Sequence, residues 1–205
     1  MNPDRNGPGK LETPFYTRDD VVAVARDLLG KALCSNNEGH VTKAIITETE
    51  AYAGVDDRAS HAYGGRRTAR TEPMFAEGGI AYVYLCYGIH HLFNVVTGKP
   101  ENPDAVLIRA GLPLVGIDDI LARRGKANVD KTLLSGPGSL SQGLGILTEQ
   151  TGTRLSGNRI WIEDHDIEIS DDAIAVGPRI GVDYAGEDAL RPYRFVVSIL
   201  SEALG

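Results

Sequence analysis

Hydrophobic residues recur at helical spacing near the start of the chain. Between residues 18 and 29 an apolar position returns every three or four residues, which is the period of an amphipathic helix. Thr17 precedes this stripe and Asp20 follows three residues later, so Thr17 is the predicted N-cap. Gly30 predicts the end of the helix. Further helices are predicted at residues 115–124 and 135–147.

Short runs rich in β-branched and aromatic residues predict strands, because such side chains fit a pleated surface. The longest run covers residues 41–52. Another covers residues 80–87 and ends at Tyr87 and Gly88, which mark a hairpin tip before the return strand. The remaining predicted strands cover residues 31–34, 92–97, 105–110, 160–163, 166–169, 175–181 and 194–200.

The side chains of an extended strand alternate between two faces. In the long strand this rule groups Glu48, Glu50 and Tyr52 with Ile46 on one face. Two carboxylates and a tyrosine on one face are costly to bury without a purpose. In the strand at 80–87, the predicted core face consists of Ala81, Val83 and Leu85, and the opposite face carries Tyr82 and Tyr84.

Many strands joined by tight turns, with helices segregated from them, predict an α+β fold. We expect a single domain at residues 13–205, with a curved, mainly antiparallel sheet flanked by helices. The polar residues 1–12 predict a flexible N-terminal arm. Residues 54–77 show no sustained periodicity, and a loop of that length in a compact domain is usually functional or disordered.

The 205 residues carry a net charge of −7 and have a pI near 5.2. This balance argues mildly against a nucleic-acid partner, because phosphate binding normally rests on Lys and Arg. The charge is unevenly distributed along this acidic chain, since residues 58–70 contain four arginines and no acid. A basic face on an acidic body is one interpretation, and scattered solvated charge is the other.

Cysteine usage and hydropathy narrow the class of protein further. Cys34 and Cys86 are the only cysteines and lack CxxC spacing, so neither zinc nor redox chemistry is expected. No apolar run approaches the length of a membrane span, and the polar start of the chain lacks a signal-peptide pattern. We therefore expect no membrane partner and a protein that is not secreted, located in the cytoplasm (the bacterial nucleoid) or the nucleus.

The polar face of the long strand has two interpretations. Glu48 and Glu50 fit an acid/base pair, because glycoside cleavage needs carboxylates to protonate a leaving group or activate water. A polar face bonded to arginines is the alternative. Tyr52, Tyr82 and Tyr84 fit a platform for a planar ring, since stacking contributes roughly 1–3 kcal/mol per base. Ordinary packing with satisfied hydroxyls is the alternative for these rings.

Other candidate groups give weaker signals. His61 fits a hydrogen bond to a base or a metal ligand, but no His, Cys or Asp spacing matches a metal site well. We expect no metal and no cofactor. The Gly/Arg run at residues 64–70 and the Gly-Pro-Gly turn at residues 136–138 each fit either a phosphate contact or a simple turn.

A set of short motifs follows in one register along the chain. They are Thr-Glu-Thr-Glu-Ala-Tyr at 47–52, Asp-x-Ala-Ser-His-Ala at 57–62, Thr-x-Arg at 68–70, Met-Phe at 74–75, Tyr-Val-Tyr-x-x-Tyr-Gly at 82–88, Asn-Val-Val at 94–96, Ser-Gly-Pro-Gly at 135–138 and Pro-Arg-Ile-Gly-Val-Asp-Tyr-Ala-Gly-Glu at 178–187. The set resembles the alkyladenine DNA glycosylases, the 3-methyladenine DNA glycosylase family of mammalian type. It covers nearly everything from the first helix to Phe195, and the linked motifs are far more specific than any one alone.

The resemblance implies roles for individual positions. Glu50 corresponds to the catalytic base, a choice over Glu48 that alternation leaves open, and Arg109 helps to hold the nucleophilic water. Tyr87 corresponds to the wedge that fills the gap left in the duplex. The implied base-pocket residues are Tyr52, His61 and Tyr84, which sandwich and contact the extruded base, Asn94, which discriminates against guanine, and Tyr82, which supports the histidine. The candidate DNA-backbone contacts are Arg66, Arg67, Thr68, Arg70 and Gly138.

The resemblance also implies a reaction. A monofunctional DNA glycosylase flips alkylated, and in some cases deaminated, purines out of duplex DNA and hydrolyses the N-glycosidic bond, leaving an abasic site in base-excision repair. The expected partners are damaged double-stranded DNA and water, the expected state is a monomer, and no Schiff base is expected because no lysine belongs to the motifs. Thr71 and Ser139 depart from the family pattern, in which asparagine and lysine are frequent. The rival functions are a non-catalytic nucleic-acid-binding module and a small-molecule nucleosidase.

Overall fold

The computed structural model describes residues 8–197, which form one antiparallel sheet of nine strands together with four α-helices. The strands are β1 (Gly9–Lys10), β2 (Ala32–Asn37), β3 (His40–Tyr52), β4 (Ala81–Cys86), β5 (His90–Thr97), β6 (Asp104–Val115), β7 (Ile160–Asp164), β8 (Ile174–Gly177) and β9 (Arg194–Val197). The helices are α1 (Thr13–Tyr16), α2 (Val21–Asp27), α3 (Ile117–Arg124) and α4 (Pro137–Leu144). This architecture confirms the predicted α+β fold with a mainly antiparallel sheet in a single domain.

The long strand β3 lies in the middle of the sheet. The strand order is β1-β7-β2-β3-β6-β5-β4. Outside this order, β8 pairs with β9, and β9 pairs with β3. Residues 48–50 of β3 therefore pair with β6 on one side and with β9 on the other. Because both edges of this segment are hydrogen-bonded, its side chains project from a well-anchored backbone.

A β-bulge interrupts β3 just before this segment. Ile46 lies opposite Gly111, whereas Glu48 lies opposite Ala110, so β3 contains one extra residue between them. Ile46 packs in the main core, and beyond the bulge Ala51 faces that same core. The predicted face shared by Ile46 and Glu48 is therefore wrong, because the extra residue reverses the alternation. The grouping of Glu48, Glu50 and Tyr52 on one face is retained.

Two hydrophobic clusters cover opposite faces of the strands β4, β5 and β6. The main core lies on the face covered by the helices and receives Val83, Phe93 and Ile108 from these strands. The other face carries a smaller cluster, in which the loop at residues 54–77 packs on the sheet. Its members are Ala62, Met74, Phe75, Ile80, Tyr82, Val96 and Ala105. This loop thus forms a wall above the second face of the sheet.

The first predicted helix is present but begins later than its pattern suggested. Asp20 is the N-cap of α2, since its Oδ1 accepts hydrogen bonds from the N–H groups of Val22 (2.9 Å) and Ala23 (3.0 Å). The predicted cap, Thr17, instead ends the short helix α1. Thr17 and Asp20 are both polar residues suited to cap a helix, but only Asp20 lies in extended conformation directly before the first turn of α2.

Several predicted strand boundaries differ from those in the structure. Residues 166–169 form no strand, and the strand predicted at 175–181 is limited to β8. The strand predicted at 194–200 is observed as β9, and residues 198–200 lie outside the described residues. Leu85, predicted to face the core, is 45% exposed because β4 runs out beyond the sheet towards its hairpin tip.

The predicted N-terminal arm covers residues 1–12, of which residues 1–7 lie outside the described residues. Gly9 and Lys10 pair with β7, and the Leu11 N–H donates to the Ile162 carbonyl (2.8 Å). Leu11 is also buried in the main core. Within the predicted arm, residues 9–11 are therefore joined to the sheet by an edge strand and to the core by one apolar side chain.

None of the helices within residues 8–197 is both long enough and apolar enough to cross a bilayer.

Candidate active site

Glu50 is fully buried on β3, and both of its carboxylate oxygens are engaged. Oε1 accepts a hydrogen bond from the Ile180 N–H (2.8 Å), and Oε2 accepts one from the Tyr52 hydroxyl (2.8 Å). Arg109 Nη1 lies 3.3 Å from Oε2. A carboxylate removed from water needs such donors, because an unpaired buried charge is costly. The surroundings of Glu50 thus hold one anion in one orientation.

Arg109 connects the two glutamates of the polar face. Its Nε donates to Glu48 Oε1 (2.9 Å), and Arg194 Nε donates to the same oxygen (2.6 Å). Burial by itself lowers the pKa of Arg109, but the charges of Glu50 and Glu48 outweigh it and raise that pKa overall. Glu48 therefore fits the arginine-bonded interpretation of the face, whereas Glu50 is the carboxylate bonded to the tyrosine beside it.

Tyr52 acts as a neutral donor to Glu50. Burial, followed by the charge of Glu50 and the hydrogen bond to it, raises the pKa of Tyr52 well above its ordinary value. The phenol therefore keeps its proton over the physiological range and presents it to Glu50 Oε2.

An aromatic pocket of about 180 Å³ opens beside Glu50. This volume is below the roughly 300–1,000 Å³ of sites for drug-sized ligands, so the pocket suits one small planar group. The predicted site residues in its lining are Tyr52, His61, Tyr82, Tyr84, Tyr87, Asn94 and Arg109. Glu50 lies behind this lining, where Tyr52 and Arg109 connect it to the pocket. The structure thus brings together the predicted catalytic, base-pocket and wedge residues.

Two tyrosines and a histidine form one aromatic wall. The His61 ring meets Tyr84 edge to face at a centroid distance of 4.6 Å, and Tyr84 lies 5.7 Å from Tyr82. His61 Nδ1 is 2.9 Å from the Tyr82 hydroxyl, and Nε2 is 3.3 Å from Arg70 Nη2. Arginine can only donate, so Nε2 is the acceptor and Nδ1 carries the proton. Burial, followed by Arg70 and Arg66, lowers the pKa of His61 to about 4, which keeps the ring neutral.

Asn94 is a fixed part of the pocket wall. Its Nδ2 donates to the carbonyls of Tyr82 (3.1 Å) and Leu92 (3.2 Å), which sets the orientation of the amide. Only the amide nitrogen can donate, so Oδ1 is the atom left to accept a further hydrogen bond.

The hairpin tip between β4 and β5 projects beside the pocket. Tyr87 is 92% exposed and has a positive φ of 51°, with Gly88 next to it at 74°. Successive positive φ values are typical of tight hairpin turns whose twist matches the strands. Leu85 and Ile89 are also exposed on this hairpin, so its tip presents an apolar patch of the kind that marks interaction sites.

A second depression, here called the basic groove, adjoins the pocket. It is lined by Arg58, Ser60, His61, Tyr63, Arg66, Thr68, Arg70, Thr71 and Tyr184, of which Ser60, His61 and Tyr184 also line the pocket. Among the candidate backbone contacts, Arg66, Thr68 and Arg70 lie in this groove. The basic-face interpretation of residues 58–70 therefore fits the structure better than scattered charge does.

Arg67 and Gly138 lie outside the basic groove. Arg67 makes two hydrogen bonds to Glu72 (2.8 Å each) and one to Glu101 (2.6 Å), so carboxylates already engage its guanidinium. Gly138 is the second residue of α4 and lies against the first residue of β5, so that an added Cβ would lie 3.0 Å from His90 Nδ1. The structure thus separates these two from the other candidate backbone contacts.

Within residues 8–197, no group of three or more His, Cys, Asp or Glu side chains is arranged to hold a metal ion.

Comparison with known protein families shows the family of the chain. The methylpurine-DNA glycosylase family matches residues 14–199, nearly the whole chain. The chain belongs to this family. It is therefore a DNA glycosylase, a hydrolase that acts on DNA in repair.

Individual methylpurine-DNA glycosylase relatives match over similar lengths. A protein of Chlamydia felis is 46% identical over 190 residues, covering 92% of this chain and 96% of the relative. One from Bacillus cereus strain G9842 is 46% identical, covering 89% of this chain and 93% of the relative. One from Chlamydia pneumoniae is 44% identical over 189 residues, covering 92% of this chain and 95% of the relative. All three carry the provisional name 3-methyladenine DNA glycosylase.

Sequence reasoning missed one part of this methylpurine-DNA glycosylase site. Residues 180–182 line the pocket, and the Ile180 N–H is a donor to Glu50. Arg179, just before them, is buried against Asp57. The signal was present in the motif at residues 178–187, but a backbone donor leaves no trace in side-chain identity.

The two departures from the family pattern fall in different surroundings. Thr71 is buried, and its hydroxyl donates to the Arg66 carbonyl (2.9 Å) and accepts from the Thr68 N–H (2.9 Å). In this methylpurine-DNA glycosylase Thr71 therefore holds the loop that carries Arg66. Ser139 lies in the first turn of α4 and is partly exposed.

Proposed function

We propose that this glycosylase flips alkylated purines, 3-methyladenine among them, out of duplex DNA into the aromatic pocket and hydrolyses their N-glycosidic bond. The observation that carries the proposal is the oriented carboxylate of Glu50 behind an aromatic pocket of about 180 Å³. The provisional names of the relatives support 3-methyladenine as a substrate. A deaminated purine such as hypoxanthine is the second substrate class.

Recognition of the damaged base rests on the aromatic side chains of the pocket. An alkylated purine carries positive charge, and cations are attracted to the faces of aromatic rings. Tyr52, His61 and Tyr84 offer such surfaces, and the lowered pKa of His61 keeps its imidazole from repelling a cationic base. Tyr82 supports His61 through the contact between its hydroxyl and Nδ1. We assign selection against guanine to Asn94, because its amide is held rigidly in the wall.

The chemistry needs little beyond an oriented water. A water oxygen attacks the sugar C1′, the bonding electron pair leaves with the purine nitrogen, and Glu50 takes the proton from the water. Arg109 lies on the pocket side of Glu50, so a water bound to Arg109 is within reach of the carboxylate. The anionic Glu50 also stabilises the cationic sugar that develops in the transition state. No lysine is part of the pocket lining, so the product is an abasic site with an intact strand.

Access to the base requires its removal from the duplex, because its glycosidic bond is unreachable inside the stack. Tyr87, exposed on the hairpin beside the pocket, is suited to fill the vacated space as an inserted ring. The basic groove is positioned to bind the phosphates next to the extruded nucleotide. We propose that one copy of the chain performs these steps as a monomer on chromosomal DNA in the cytoplasm or nucleoid.

The first test is a lesion panel. Duplexes containing 3-methyladenine, 7-methylguanine or hypoxanthine are incubated with the protein, and free base and abasic sites are quantified beside an undamaged duplex. We expect release from at least one alkylated duplex and none from the undamaged control. Failure to release all three bases would refute the enzymatic proposal. Cleavage of free nucleosides with no activity on duplexes would instead favour a nucleosidase.

The second test separates the two glutamates. Glu50→Gln should abolish release, a loss of at least about 10²-fold as expected for a removed general base, while duplex binding is retained. Glu48→Gln should slow release without abolishing it, because Arg109 keeps its contact with Glu50. Single-turnover rates and binding constants are measured for both variants. A fully active Glu50→Gln variant would show that the base is another residue.

A further inference from the structure

A buried ion pair between Arg179 and Asp57 lies next to Tyr52 and outside the pocket lining. Both side chains are completely excluded from solvent. Arg179 Nη2 donates to Asp57 Oδ1 (2.8 Å), and Nη1 donates to Oδ2, so the contact is bidentate. Buried pairs of this kind stabilise a fold weakly, since desolvation of both charges offsets most of their attraction. Its presence therefore calls for an account other than stability.

The pair ties three segments of the chain together. Arg179 Nη1 also donates to the Ala51 carbonyl on β3 (2.8 Å), and Nη2 donates to the Asp188 carbonyl (3.0 Å). Asp57 accepts hydrogen bonds from the N–H groups of Ala53 (3.1 Å) and Ala59 (3.0 Å) at the start of the loop. We call this arrangement the Arg179–Asp57 clamp. It fixes the end of β3, the first turns of the loop and the segment that precedes Ile180.

The clamp reaches both hydrogen-bond donors of Glu50. Ile180, whose N–H contacts Glu50 Oε1 at 2.8 Å, is the residue next to Arg179 in the chain. Tyr52, whose hydroxyl contacts Oε2 at 2.8 Å, has its ring 4.8 Å from the Arg179 guanidinium. Among the hydrogen-bond and ion-pair partners of the Glu50 carboxylate within residues 8–197, only Arg109 is not connected to the clamp.

We propose that Arg179 and Asp57 are positioning residues for the glycosylase reaction, which hold the Ile180 N–H and the Tyr52 hydroxyl on Glu50. This inference rests on the proposed role of Glu50 as the base. Neither residue touches the pocket, so their effect on the reaction passes through the two donors. Displacement of a catalytic group by about 1 Å can cost on the order of 10²-fold in rate.

The pH dependence of the reaction offers a readout that a purely structural role leaves unchanged. The charged and titratable groups around Glu50 are Tyr52 and Glu48 on β3, Arg109 on β6, Arg194 on β9, and Arg179 beside Tyr52. Hydrogen bonds to a carboxylate favour its charged form. Loosening of the clamp removes two such bonds, so the acidic limb of the rate profile is expected to move to higher pH.

The experiment uses Asp57→Asn, which keeps the shape of the side chain, and Arg179→Lys, which keeps the charge but cannot form the bidentate contact. The matched control is Glu163→Gln, which disrupts another buried ion pair, with Lys43, on a part of the sheet remote from the pocket. Single-turnover base release is measured with enzyme in excess from pH 5 to pH 9. Under this condition the rate constant does not depend on the fraction of folded protein.

We expect both clamp variants to lose on the order of 10²-fold in rate constant and to show the shifted acidic limb. Glu163→Gln should match them in thermal destabilisation but retain the wild-type rate constant and profile. Wild-type rate constants and profiles in both clamp variants would overturn the inference while leaving the role of Glu50 intact. A wild-type protein that releases no base would instead refute the proposed function itself.

Discussion

Individual residues of the pocket are held in one protonation state by their neighbours. Tyr52 donates to Glu50, and its raised pKa keeps the phenolic proton in place. His61 sits between an arginine that can only donate and the Tyr82 hydroxyl, which assigns its tautomer. At this scale the aromatic and imidazole rings around Glu50 stay neutral.

The neutral state of His61 has a consequence for stability against acid. The ring titrates near pH 6.5 in an unfolded chain but only at about pH 4 in the folded protein. Between these values the unfolded state binds the extra proton, so stability falls as the pH decreases from 6.5 to 4. The loss over this window is roughly 3 kcal/mol. Urea unfolding at pH 7, 5.5 and 4 should show a smaller decrease for His61→Gln than for the wild type.

The cause of the lowered pKa can be checked separately. Arg70 is the largest contributor after burial, so Arg70→Gln should raise the pKa of His61. An NMR titration of the imidazole measures this directly. A pKa of His61 that is unchanged in Arg70→Gln would contradict the role assigned to the arginine.

Among the secondary-structure elements, the β4–β5 hairpin carries the residue most exposed beside the pocket. Its strands extend past the rest of the sheet, and its tip displays Leu85, Tyr87 and Ile89 to solvent. Tyr87 also adopts a positive φ, which is uncommon for a bulky residue. An element that is exposed and locally strained at its tip is suited to contact a partner rather than to stabilise the fold.

Replacement of the ring at this tip should affect capture of the flipped base. Tyr87→Ala removes stacking worth roughly 1–3 kcal/mol, so the flipped fraction should fall on the order of 10-fold. The fluorescence of 2-aminopurine next to the lesion reports that fraction, and binding to undamaged DNA should change far less.

The matched control for this change is Ile89→Ala. Ile89 is 69% exposed on the same turn but has no ring to stack, so its variant should leave the flipped fraction close to that of the wild type. Equal losses in both variants would show that the hairpin acts through general apolar contact instead of an inserted ring.

The elements themselves were predictable where periodicity was strong. The helix at α2, the long strand β3 and the hairpin at Tyr87 all follow from local patterns. The bulge before Glu48 does not, because an extra residue in a strand is defined only by the pairing partner. For the same reason the Ile180 donor and the Arg179–Asp57 clamp were not predictable, since they join residues more than 100 positions apart.

At the scale of the whole molecule, the net charge of −7 conceals an uneven surface. Arg66 and Arg70 line the basic groove next to the pocket, whereas Arg67 is paired with Glu72 and Glu101. Composition suggested four equivalent arginines in residues 58–70. Only the folded chain shows which of them are already paired with carboxylates, and this explains how an acidic protein keeps a local basic surface.

This distinction predicts different salt dependences for two neighbouring residues. Arg66→Gln should weaken DNA binding and reduce the slope of log K against log salt by about 1, the value for one lost phosphate contact. Arg67→Gln is the matched control and should leave the slope near the wild-type value. Binding to a damaged duplex is titrated between 50 and 200 mM salt. Equal slopes for the two variants would contradict the assignment of the groove.

The extra residue in β3 also bears on how this chain can change by insertion and deletion. Plain alternation resumes beyond the bulge, so loss of one residue between Glu48 and Glu50 would turn Glu50 and Tyr52 towards the helices. The composition of the protein would hardly change, yet its carboxylate and its first aromatic ring would leave the pocket together. Functional descendants of this chain are therefore expected to vary in length at surface turns, such as Glu38–Gly39, and to keep this spacing constant.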